Sequence, residues 1–116
     1  MRHPDWVVRL AALLAAAERR AFDARRWNCA LFALAAVEAV TGGRPAFRVL
    51  PDLAGSADSA GFPRVAPLRA RMGDIVLAPG PDRLGVVLDA GRAAFVGPRG
   101  LVRAPITACA HAWRVE

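Results

Sequence analysis

The chain has 116 residues, 55% of them hydrophobic, which is enough for one domain with its own core and too few for two. Its formal charge of +6 rests on arginine alone, because lysine is absent, and the arginines are scattered in runs no longer than two. With no concentrated basic stripe or base-reading motif, that charge argues against nucleic-acid binding and suits docking on acidic protein faces.

Two cysteines, Cys29 and Cys109, are too few for a disulfide framework, and no Cys/His group has zinc spacing; neither a metal nor a cofactor is expected. No stretch approaches the ~20 apolar residues of a membrane span, so a soluble protein without membrane insertion is expected. The apolar segment from Trp6 to Ala17 is interrupted by Arg9 and runs into Glu18-Arg19-Arg20, which reads as a helix and not as a secretory signal.

Asp5 is positioned to cap that first helix, expected to run to about Ala21. Trp6, Leu10, Leu13, Leu14 and Ala17 form one face, with Arg9, Glu18, Arg19 and Arg20 on the other. A loop from Phe22 to Trp27 leads to Asn28, a good N-cap for a second helix from Cys29 to about Val40, which Gly42 and Gly43 stop. Leu31, Phe32, Leu34, Ala35, Val37 and Val40 make this helix apolar nearly all round, as expected of a central helix buried on a sheet.

Residues 44–71 are rich in Pro, Gly and Ser and read as a connector with a helical turn near Leu50–Ala54. Strands follow at Ile75–Leu77, Leu84–Leu88, Ala93–Val96, Leu101–Arg103 and His111–Val115, separated by Pro/Gly/Asp turns. Helices first and antiparallel strands after predict a single α+β domain over residues 1–116.

Cys29 is the chemically informative residue, because the first turn of a helix leaves backbone N–H groups free and favours negative charge, conditions that activate a thiol. His111 is the one downstream imidazole and so the candidate base; His3 lies near the terminus. Asp74, after Gly73, is placed to cap a turn, and Cys109 to fill space near the last strand. Trp6, Trp27 and Trp113 read as core and rim packing, and Arg25, Arg26, Arg83, Arg99 and Arg103 as loop or turn residues able to form a docking face.

Trp27-Asn28-Cys29-Ala30-Leu31-Phe32, with Met72-Gly73-Asp74-Ile75-Val76 and Leu84-Gly85-Val86-Val87, resembles the nucleophile segment and strand pair of the NlpC-type cell-wall peptidases. The resemblance implies a papain-like fold, a core helix opened by a nucleophilic cysteine and packed on an antiparallel sheet. Trp6, Asn28–Phe32, Gly73–Val76, Leu84–Val87 and Ala112-Trp113-Arg114-Val115 are similar to a family of short proteins encoded in phage and prophage tail clusters.

Where the peptidases place their histidine base, this chain has Arg83, and the residue that orients the base falls among Phe95, Val96 and Gly97. An arginine stays protonated and cannot take a proton from a thiol. The resemblances therefore imply a degenerate peptidase fold in the tail tip or baseplate of a phage or phage-like particle, made in the bacterial cytoplasm and carried in the virion, with other tail proteins as partners. The alternative is an active peptidoglycan amidase or endopeptidase with Cys29 as nucleophile and His111 as recruited base.

Overall fold

The computed structural model describes residues 1–116. Helix α1 spans Trp6–Ala17, α2 Cys29–Thr41 and α3 Leu53–Asp58; the strands are β1 Arg64–Val65, β2 Ile75–Ala78, β3 Arg83–Val87, β4 Arg92–Gly97, β5 Gly100–Pro105 and β6 His111–Trp113. The six strands form one antiparallel sheet in the order β1-β6-β2-β3-β4-β5. The expected α+β domain is present.

Helix α2 forms as its end signals predict. Asn28 Oδ1 accepts from the Leu31 N–H at 3.0 Å, and Gly42 takes a left-handed φ of 79° while its N–H donates to the Glu38 carbonyl at 2.9 Å. Phe32, Ala33, Ala36, Val37 and Val40 of this helix are buried against Ile75, Leu77, Leu84, Val86, Ala94 and Val96 of the sheet. Trp27 and Trp113 are buried in the same core, and Trp6 packs on its rim.

Helix α1 departs from expectation at both ends and on its outer face. Asp5 makes no side-chain cap; its backbone N–H donates to His3 Nδ1 at 3.0 Å. The helix ends at Ala17, because the following residues are drawn along the β4–β5 hairpin: Leu101 N–H donates to the Glu18 carbonyl and Phe22 N–H to the Gly97 carbonyl. Gly100, at φ 137°, permits this approach, since a Cβ there would collide with the Glu18 carbonyl. Glu18, Arg19 and Arg20 thus lie beyond the helix. Arg9 caps the C-terminal end of α2, donating to the Ala39 and Glu38 carbonyls. The exposed face of α1 is instead built from Val7, Val8, Ala11, Ala12, Ala15 and Ala16.

In the connector, the helical turn lies later than expected. Asp52 caps α3 by accepting from the Ala54 and Gly55 N–H groups, each at 3.2 Å. Strand β1 was not foreseen; it is two residues long and pairs Arg64 with Trp113 and Val65 with Ala112. The second face of the sheet is also covered. Val76, Ala78, Val87, Ala93, Phe95 and Ala112 pack there with Ala70 and Ile106, which belong to or flank short 3-10 turns, and Cys109 fills space beside them. Burial on both faces explains why β2, β3 and β4 lack the alternating polarity of a half-exposed antiparallel sheet.

Asp74 joins the two ends of the chain. It is fully buried, and its carboxylate accepts from the Arg71 N–H at 2.8 Å, the turn-capping bond its position predicts. It also accepts from the Val115 N–H at 3.0 Å, Arg2 Nη2 at 3.0 Å and Arg114 Nε at 3.2 Å. Arg2 donates as well to the Val115 and Met72 carbonyls, and Arg114 to the Arg69 carbonyl. One buried carboxylate therefore organises two arginines and two backbone amides, a fully partnered charge of the kind a protein interior tolerates.

Candidate functional site

Cys29 is the first residue of α2 and is half-buried, beside the Asn28 cap. It borders a cleft of ≈ 450 Å³ shared with Phe22, Asp82, Arg83, Val96, Gly97 and Pro98. Three parts of the chain build this cleft. The 22–28 loop is closed by the Asp23–Trp27 bridge and by Asn28 Nδ2 donating to the Ala24 carbonyl at 3.0 Å. The Phe22-to-Gly97 hydrogen bond fixes the loop against the end of β4, the β2–β3 turn adds Asp82, and the start of β3 adds Arg83. Behind the loop, the Trp27 ring meets Phe32 edge-on at 5.7 Å, and the Arg20 guanidinium lies 4.2 Å over the Trp27 ring.

Arg83 borders this cleft as the first residue of β3, not as a turn residue. Strand alternation places Leu84 and Val86 on the helix-bearing face and Val87 on the opposite one, which Arg83 shares. Accordingly, its guanidinium lies 5.2 Å from the centre of the Phe95 ring, which belongs to the second face, and its Nε is buried without a hydrogen-bond partner. Burial pushes the Cys109 thiol above the ordinary thiol range, and Arg83 pulls it part of the way back. Residue 83 thus directs its charge to the side of the sheet away from α2.

His111 is not brought to Cys29. It opens β6, pairs across the sheet with Leu77 and is exposed. Its Nδ1 is 3.4 Å from Arg64 Nη1, and its ring lies 6.3 Å from that of Trp113. There it joins a separate group: Asp58 accepts from Arg64 Nε and Nη2 at 2.9 and 2.7 Å and from Trp113 Nε1 at 2.8 Å. The Arg64 guanidinium, with help from the indole N–H, holds the Asp58 carboxyl at about 2, below its ordinary 3.8. His3 lies at the other end of α2, where its ring packs against Gly42.

The cleft is therefore lined by a thiol, a carboxylate and an arginine, and by no imidazole. Hydrolysis through an acyl-enzyme needs a group that takes the thiol proton, passes it to the leaving amine and then activates water. Neither histidine of the chain is positioned to do so.

Of the expected docking arginines, Arg25, Arg26 and Arg99 are exposed in turns, but Arg103 lies in β5, where it binds both Glu18 carboxylate oxygens at 3.0 and 2.7 Å. Sequence reasoning gave no role to Phe22, Asp82 or Pro98, although an aromatic stranded between charged residues in a loop is a signal for a rim position. No group of three or more His, Cys, Asp or Glu side chains is placed to hold a metal ion, and no helix is long and apolar enough to cross a membrane.

The family described as a domain of unknown function, DUF6950, matches residues 1–52 and 48–115, and the chain belongs to that family. No curated protein matches it.

Proposed function

We propose that this DUF6950 domain is a degenerate papain-like domain of the NlpC kind, held in the tail tip or baseplate of a phage or phage-like particle and acting through protein contacts, not hydrolysis. The observation that carries the non-hydrolytic reading is the composition of the Cys29 cleft: the helix end that would activate a thiol is built, and no imidazole lines the space beside it. The papain-like reading is supported by the order of elements, with the cysteine opening a buried helix packed on β3 and β4. The tail assignment draws on the resemblance of Asn28–Phe32, Gly73–Val76, Leu84–Val87 and Ala112–Val115 to phage tail-cluster proteins.

Two measurements test this reading. Purified protein incubated with peptidoglycan sacculi is expected to release no muropeptides. Release that disappears in Cys29→Ala would replace the structural role with the hydrolase. Co-expression with the products of neighbouring tail genes is expected to yield a stable complex, and consistent failure to co-purify with any of them would remove the tail role.

A further inference from the structure

Five exposed arginines lie on the chain segments that carry Phe22 and Pro98 of the Cys29 cleft or adjoin them. Arg19 packs its Cα against Gly100, next to Arg99 in the β4–β5 turn; Arg25 and Arg26 lie in the loop that carries Phe22; and Arg20 Nη2 donates to the Arg26 carbonyl at 3.3 Å. None of the five forms an ion pair. The carboxylates nearest to them in the chain are occupied elsewhere. Glu18 binds Arg103 through both oxygens, and Asp23 caps its own turn by accepting from the Arg25 and Arg26 N–H groups. The cleft itself offers Phe22, which is 54% exposed, together with Val96, Pro98 and the Cys29 thiol.

We propose that this arginine-rimmed cleft is a docking site for an extended acidic segment of a partner protein, with one apolar side chain seated against Phe22, Val96 and Pro98 and flanking carboxylates paired with Arg19, Arg25, Arg26 and Arg99. The proposal rests on the protein-contact reading above and names the chemistry of the partner. Arginine forks suit carboxylates, which they bind bidentately, and the apolar floor suits a side-chain anchor. The cleft offers one exposed aromatic, whereas single-stranded nucleic acid uses a series of stacking platforms.

The probe is a terminally blocked decapeptide alternating Glu with Leu and Phe, titrated against the full chain by fluorescence anisotropy, alongside the same peptide with Gln in place of Glu. The acidic peptide is expected to bind and the Gln peptide not to. Binding should fall about tenfold or more in the double variant Arg25→Glu/Arg99→Glu, and also in Arg25→Gln/Arg99→Gln should the first fold poorly. Bound peptide should slow alkylation of Cys29 by iodoacetamide while leaving Cys109 unaffected. Absence of binding, equal binding by both variants, or unslowed alkylation of Cys29 would each overturn the proposal. So would a short single-stranded oligonucleotide that binds more tightly with the same arginine dependence. Muropeptide release by Cys29 would remove the non-hydrolytic reading and leave the peptide result standing. Failure of the peptide arms with tail-protein co-purification intact would remove this inference alone.

Discussion

The same side chain does opposite work at two places in this molecule. Around Asp74, Arg2 and Arg114 are largely buried, each donates to the carboxylate and to backbone carbonyls, and together they lock the N-terminal residues to the end of β6. On the segments that carry or adjoin Phe22 and Pro98 of the Cys29 cleft, Arg19, Arg25, Arg26 and Arg99 stand in solvent without a carboxylate partner. The difference lies in what the local backbone supplies. A buried carboxylate at a turn recruits cationic partners, because an unpaired buried charge is costly. A loop whose only carboxylate is consumed by its own amides leaves its cations free, as Asp23 does. Charge at the first place holds the fold together; at the second it is available for a partner.

The strongest test of this contrast is Asp74→Ala. It strands two arginine charges and the Arg71 and Val115 amides in a buried site, and a loss of about 3–5 kcal/mol is expected, with a matching fall in the urea midpoint. Stability retained to within ~1 kcal/mol would mean that water replaces the carboxylate and that the node is not structural. A smaller effect belongs to the cleft. Asn28→Ala removes the only side-chain cap on α2 and should cost about 1 kcal/mol. Faster alkylation of Cys29 in that variant would show that the cap also sets the exposure of the thiol.

How much of this was legible in the sequence depended on the reach of the signal. Helix α2 was readable from Asn28 to Gly42 because both end signals act within four residues. Strands β2 to β5 were readable because their turns carry glycine, proline or aspartate at the required places. The early end of α1 was not, since it is imposed by a hairpin more than 80 positions later, through the contact of Glu18 with Leu101. Strand β1 was missed because two residues carry no periodicity and pair only once β6 is in place. At the site, Cys29 and its cap were legible, whereas the direction of Arg83 was not. Its column can be read from the motif, but the face it points to depends on strand register and on Phe95 across the sheet. The separation of His111 from Cys29 is likewise a property of strand order, which places β6 on the far side of β2 from β3.

Asp58 lies between the two extremes, since its pair with Arg64 is half-exposed. Its folded pKa of about 2 is below the ordinary 3.8, so the stability it contributes is fully present above 3.8 and is lost as pH falls from there through about 2. Solvent screening keeps the magnitude to within ~1 kcal/mol. The difference in urea midpoint between wild type and Asp58→Asn should therefore be constant at neutral pH and shrink below pH 3.8. A difference that persists unchanged to pH ~2 would assign the effect to the Trp113 hydrogen bond and not to charge.

The smallest effect on stability is expected where the proposed partner binds. Arg25→Glu/Arg99→Glu changes the formal charge from +6 to +2, two units for each of two sites, and breaks no ion pair. Its unfolding free energy should stay within about 0.5 kcal/mol of wild type. Any shift should be towards greater stability, because like charges repel at the rim. Added salt should then stabilise the wild type more than the variant, since it screens a repulsion that the variant has lost. A large loss of stability in this double variant would mean that these arginines hold the 22–28 loop in place, and the contrast between a closed and an open set of arginines would fail. An unchanged stability together with lost peptide binding is the combination that a docking surface requires and a structural network cannot produce.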